Sequence, residues 1–189
     1  MIDLIVSADW SILHFIQDNI ACDFLDVLMP KITALGNAGI IWLLWAVVLI
    51  FIKRYRKYGI ILFIALLAGL IIGNGILKNI VERPRPCWLD ESVVLLIQNP
   101  KDFSFPSGHT LSSVIAAVVL TAANKKFGIA AIPIACLIAF SRMYLYVHFP
   151  SDVITSVILG IIIALVILKL LANRKWINNL QNKKKASGF

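Results

Sequence analysis

ITALGNAGIIWLLWAVVLIFI, residues 32–52, runs for 21 positions without a charged side chain. About 20 apolar residues suffice for a helix to cross a hydrocarbon core of roughly 30 Å, so this stretch predicts a membrane span. Four more charge-free runs follow: Tyr58–Leu77 (20 residues), Thr110–Asn124 (15), Phe127–Ser141 (15) and Val153–Leu168 (16). At 1.5 Å per residue the last three reach only about 22–24 Å, so their polar flanks must lie within the membrane boundary. Composition agrees. The 189 residues are 60% hydrophobic and 15% charged, with a mean hydropathy of +0.88, against roughly 45–50% apolar in soluble domains. The predicted fold class is all-α, a polytopic membrane bundle with five transmembrane helices. Residues 1–31 add a sixth helix, and two readings of it stay open. Ile5, Ile12, Leu13, Ile16 and Ile20 suit an amphipathic helix, while Asp3, Asp9, Asp18, Asp23 and Asp26 oppose simple insertion, so it is either membrane-embedded or interfacial.

The formal charge of +8 raises nucleic acid as a partner, but the distribution argues for no nucleic acid. Twelve of the 18 basic residues follow the first, third and fifth runs: Lys53, Arg54, Arg56 and Lys57; Lys125 and Lys126; Lys169, Arg174, Lys175 and Lys183–Lys185. Alternate ends carry them, which is the positive-inside pattern. The expected domain is therefore 1–173, with 174–189 a basic cytoplasmic tail and 78–108 an outer loop. The stretch 142–151 emerges on the same outer side. No basic residue precedes the apolar positions of the N-terminus, so no secretory leader is expected. Cys22, Cys87 and Cys136 lack CxxC spacing, so neither a disulfide framework nor a metal site is expected.

Polar groups at membrane depth are costly and usually line a site. Three clusters fall on the outer face. In KNIVERPRP (78–86), Lys78 and Arg85 either snorkel to headgroups or face an anion. Pro84 and Pro86 bias the arginines towards extended backbone. In FSFPSGHT (103–110), Pro106 suits a helix start, and Ser107 and Gly108 would present N–H groups to an anion. The plainer reading is a turn with an interfacial histidine, His109. In SRMYLYVHFPSD (141–152), Arg142 offers a planar fork of donors to phosphate. His148 precedes Asp152 by four residues, either as a helix-capping pair or as an imidazole whose tautomer a carboxylate fixes. Together the clusters place three cations, a helix N-terminus, two histidines and an aspartate on one membrane face. Phosphate is the anion that fits.

These residues resemble the type 2 phosphatidic acid phosphatase superfamily. Lys-x6-Arg-Pro (Lys78, Arg85, Pro86), Pro-Ser-Gly-His (Pro106–His109) and Ser-Arg-x5-His-x3-Asp (Ser141, Arg142, His148, Asp152) agree with its three motifs in spacing and order. The resemblance implies that His148 attacks phosphorus to give a phosphohistidine, with Asp152 holding its ring. It implies that His109 protonates the leaving oxygen and then activates water. Lys78, Arg85, Ser107, Gly108 and Arg142 would bind the phosphoryl oxygens, with no cofactor and no metal. The 78–108 loop would then be the outer catalytic loop. The expected function is a lipid phosphatase at the outer face of the plasma membrane, in contact with the bilayer and a lipid phosphate. Undecaprenyl pyrophosphate is the favoured substrate, and phosphatidylglycerophosphate and phosphatidic acid are alternatives. A lipid phosphotransferase would use the same residues, and a lipid or anion transporter is the non-enzyme reading. A further expectation is that the apolar stretch Val93–Ile97 lies on the membrane and gates the lipid. Oligomeric state is left open.

Overall fold

The structure is a computed structural model that describes residues 2–172. Helix α1 (Ile2–Asn19) and α2 (Asp23–Leu35) lead into α3 (Ile40–Phe51). Next come α4 (Arg56–Gly69), which continues through a π-helical stretch (Leu70–Leu77) into α5 (Lys78–Val81), and the short α6 (Pro86–Leu89). Three long helices close the fold: α7 (Gly108–Ala123), α8 (Lys125–Tyr144) and α9 (Pro150–Ala172). Among the described residues there is no strand.

The run that announces the fold is not one straight helix. Gly36-Asn37-Ala38-Gly39 divides it, with Ala38 at φ 50° and Gly39 at φ 66°. Two successive left-handed residues cannot continue a right-handed helix, and glycine takes such a conformation at least cost. The α2 and α3 axes meet at 42°. Three helices are long and apolar enough to cross a membrane, Arg56–Leu89, Lys125–Tyr144 and Pro150–Leu171, or four if the bent pair counts as one span. The expected count of five is therefore met only in part. The runs that begin at Phe127 and Val153 lengthen by taking their polar flanks into the helix. Helix α7 stays at 16 residues, about 24 Å.

Helix α7 packs against α4, α8 and α9. Its buried Ile115, Ala116, Val119 and Leu120 meet Ile61, Leu62 and Ala65 of α4, Ile138 of α8 and Ala164 of α9. Trp42 of α3 donates from Nε1 to Ser113 Oγ at 3.0 Å, so the buried indole N–H is satisfied. The faces turned outward are as apolar as this core: Leu44, Phe51, Ile129, Ile154, Ile158 and Leu165 are all more than half exposed. Such faces fit a lipid surround rather than water. A second cluster lies at the other end. There Leu13 and Ile16 of α1 and Met29 of α2 pack on Tyr144, Leu145, Tyr146, Val147 and Phe149. The first helix is thereby clamped onto the turn that carries His148.

Candidate active site

Helix α8 ends at Tyr144, and the chain reverses through Tyr146, which sits at φ 58°. The N–H groups of Val147 and His148 both donate back to the Arg142 carbonyl at 3.2 Å. That turn brings Arg142 and His148 to one side before Pro150 opens α9, a position that suits proline. The His148 side chain is buried, with Nε2 3.1 Å from Arg85 Nη1. A guanidinium can only donate, so Nε2 accepts and the proton lies on Nδ1. Asp152 Oδ2 stands 3.6 Å from Nδ1, held by the Phe149 N–H at 2.9 Å and by the Ser104 hydroxyl. Burial, followed by the charges of Arg85, Arg142 and Lys78, pushes the His148 imidazole well below its ordinary pKa. The ring is neutral, with a lone pair on Nε2.

Arg85 is 2% exposed and fully engaged. Nη1 donates to the Val147 carbonyl at 2.6 Å, Nε to the Asp102 carbonyl at 2.7 Å and Nη2 to Asp102 Oδ1 at 2.8 Å. Its backbone is extended (φ −81°, ψ 154°), as the flanking prolines require. Lys78, buried at the end of the long helix, donates from Nζ to Asp102 Oδ2 at 2.5 Å. Asp102 thus bridges two cations. Burial works to raise its carboxyl, and Lys78 and Arg85 together outweigh it, holding the pKa at about 2. Arg142, 4% exposed, donates from Nη1 to Thr33 Oγ1 of α2 at 2.6 Å. Its Nε is the buried side-chain polar atom without a partner among the described residues.

Helix α7 begins at Gly108. Ser107 is its N-cap, its hydroxyl 3.0 Å from Thr110 Oγ1 and its N–H given to Ser156 Oγ at 2.8 Å. Ser107 is fully buried and caps the helix; Gly108 and His109 face the cavity. Pro106 therefore precedes the helix rather than opening it. His109 Nε2 lies 3.0 Å from Asn37 Oδ1, in the break between α2 and α3.

Lys78, Arg85, Gly108, His109, Arg142 and His148 line one cavity of about 940 Å³. Asp152 sits behind His148, and Ser107 behind Gly108. The cavity's far wall is apolar, formed by Leu43, Phe63, Leu66, Leu67, Leu70 and Ile115. Asp102, Ser104, Thr33, Asn37, Arg83 and Asp9 also contribute side chains to this centre or its support, and the sequence reading did not single them out. Arg83 carried the one available signal, a second arginine in RPRP. In the Val93–Ile97 stretch, Val93, Leu95 and Ile97 pack inward, while Val94 and Leu96 are exposed.

The sequence model of the PAP2 superfamily matches residues 57–176. An undecaprenyl-diphosphatase of Sulfolobus acidocaldarius is 36% identical over 121 residues, 64% of this chain and 58% of that protein. The undecaprenyl-diphosphatase BcrC of Bacillus subtilis is 32% identical over 139 residues, 74% of this chain and 71% of BcrC. The chain thus spans between half and three quarters of the length of these two relatives. The crystal structure of a transmembrane PAP2-type phosphatidylglycerolphosphate phosphatase from Bacillus subtilis superposes with a TM-score of 0.73 at 28% identity, covering 88% of this chain and 86% of that one. A match that takes in all three motifs and well over half of the sequence, on a shared helical frame, means that the chain belongs to the PAP2 superfamily.

Proposed function

We propose that this protein is a membrane lipid phosphatase that removes the terminal phosphate of a polyprenyl diphosphate, undecaprenyl diphosphate, through a phosphohistidine on His148. The observation that carries the reading is the pairing of a neutral, Arg85-facing Nε2 with a cavity that is cationic at one end and apolar at the other. In the first step Nε2 bonds to phosphorus as the P–O bond to the lipid breaks, and His109 gives its proton to the leaving oxygen. In the second step His109 takes a proton from water, whose oxygen attacks phosphorus. The P–N bond breaks and its electron pair returns to Nε2. One residue serving as acid and then as base is what a two-step transfer requires. Lys78, Arg85, Arg142 and the Gly108 N–H hold the phosphoryl oxygens, and such preorganised donors supply most of the stabilisation in phosphoryl transfer. The free Arg142 Nε is one donor ready for that use. Asp102 must release Lys78 and Arg85 as the phosphate arrives. Ser107 acts by shaping the helix end.

The two named relatives favour a diphosphate substrate. The structural neighbour keeps phosphatidylglycerophosphate as the second reading. The basic residues of the loops that follow the first and third runs support a site on the outer leaflet by the positive-inside rule. Of the basic residues after the fifth run, Lys169 lies in the last turn of α9, and the others, in the tail 174–189, lie outside the described residues.

Phosphate release in detergent with EDTA tests the proposal, with undecaprenyl diphosphate, phosphatidylglycerophosphate and phosphatidic acid compared side by side. Release should persist in EDTA, vanish in His148→Ala and show the highest kcat/KM for the diphosphate. Release that survives His148→Ala would overturn the mechanism, and a preference for phosphatidylglycerophosphate would select the second reading. Loss of lipid phosphate without free phosphate, dependent on an added lipid acceptor, would identify a phosphotransferase.

A further inference from the structure

Asp9 is a carboxylate on α1, far in sequence from the three motifs and outside the residues that match the family. It is nevertheless 3% exposed, and a buried carboxylate requires partners. Oδ1 accepts from the Ser151 N–H at 2.8 Å, and Oδ2 from the Ser151 hydroxyl at 2.5 Å and from Arg83 Nη2 at 2.7 Å. The other arm of the same guanidinium, Nη1, donates to Asp152 Oδ1 at 2.6 Å and to Ser151 Oγ at 2.7 Å. The Arg83 plane rests on Phe149, its Cζ 4.1 Å from the ring centroid. Trp10, the next residue on α1, meets the same ring edge-on at 5.1 Å. The Arg83 guanidinium is thus held by Asp9 on one arm and by Asp152 and Ser151 on the other.

We propose that Asp9 and Arg83 are positioning residues for phosphoryl transfer, which orient Asp152 and set how much negative charge it presents to His148. The inference rests on His148 being the nucleophile. The geometric part is direct. Arg83 occupies Oδ1 of Asp152, so Oδ2 is the oxygen turned to the imidazole, where Ser104 and the Phe149 N–H hold it. The electrostatic part follows from sharing. One guanidinium lies between two carboxylates, so Asp152 is only partly neutralised. The imidazole gains positive charge as Nε2 bonds to phosphorus, and a carboxylate at Nδ1 stabilises that charge. Without Asp9, Arg83 would belong to Asp152 alone and would weaken that support. Without Arg83, Asp152 would present its full charge but lose its orientation. The two substitutions therefore perturb His148 with opposite sign.

The acid limb of the kcat/KM–pH profile reads that sign, because the limb reports essential groups of the free enzyme. Groups facing His148 from its neighbours are Arg85 and Asp102 of the outer loop, Lys78 at the end of the long helix, Arg142 of α8, His109 of α7 and Asp152 of α9. All of them stay constant across the series. The full chain in detergent is assayed with one lipid substrate, so the titration of the substrate is common to every profile. Asp9→Asn should lower kcat about tenfold with KM nearly unchanged, and move the acid limb to lower pH by about half a unit. Arg83→Gln should also lower kcat, but move the limb to higher pH. Asp3→Asn, an exposed change on the same helix, should match wild type.

Limb position does not depend on the fraction of folded protein, so partial misfolding leaves the readout intact. If Asp9→Asn gives no folded protein, the upward shift in Arg83→Gln decides. Unmoved limbs, or limbs that move in the same direction, would overturn the proposal even where kcat falls. Turnover that survives His148→Ala would overturn the nucleophile assignment, and this inference with it. Wild-type profiles in both variants, with His148→Ala inactive, would overturn this inference alone.

Discussion

Arg142 shows how the centre is built one side chain at a time. It is buried, its Nη1 is spent on Thr33 Oγ1, and its Nε has no partner among the described residues. A buried N–H left unpaired costs about 1–3 kcal/mol, and a phosphoryl oxygen would relieve that cost. Thr33→Val keeps the volume but removes the acceptor, leaving the fork free to turn. We expect kcat/KM to fall about tenfold and the melting temperature in detergent to fall by a few degrees as Nη1 loses its acceptor, which parallel kinetics and thermal unfolding would check. The motif residues were legible because phosphate chemistry restricts both residue type and spacing. Thr33 was not: a threonine in a charge-free run reads as part of a span. Asp9 was hidden differently. An acidic residue on an amphipathic helix reads as a solvated face, and only the fold turns it inward towards Arg83.

At the scale of the element, the break between α2 and α3 does what hydropathy cannot reveal. Counting charges joined residues 32–52 into a single span, because glycine and asparagine carry no charge. Their conformations divide it. Gly39 at φ 66° would resist any side chain. Gly36 is needed for room: a Cβ there would lie 2.7 Å from His109 Cδ2 and 3.0 Å from Ile138 Cγ2. His109 cannot yield freely, since Asn37 from the same break holds its Nε2. Gly36→Ala should therefore displace the histidine and lower kcat by about tenfold or more, with the helical circular dichroism unchanged. The π-helical stretch Leu70–Leu77 is a second local departure, of a kind frequent at functional sites. It precedes Lys78 and carries Asn74, whose Oδ1 would lie 3.0 Å from a Cβ at Gly108. Neither feature leaves a hydropathy signature. What was legible at this scale was the existence of long apolar helices, not their breaks.

Over the whole molecule, the described helices surround a cavity with two unlike ends. Lys78, Arg85 and Arg142 close one, and Phe63, Leu67 and Leu70, each about half exposed, line the other. On the proposed function, this apolar slot is where the lipid tail would lie. Leu67→Gln with Leu70→Gln should lower kcat/KM for a lipid diphosphate about tenfold or more, on the order of two lost apolar contacts. Hydrolysis of a short water-soluble phosphate ester should change less than twofold. Equal losses on the two substrates would show that the slot does not carry the lipid. The same two ends bear on what happens after the bond is cut. On the proposed function, the products would enter different phases: inorganic phosphate would depart past charged side chains into water, and the lipid product would return to the bilayer. Once parted, they no longer meet at a common concentration. The reverse condensation would then need both products to return to the cavity from separate phases, each at the concentration its own phase sets.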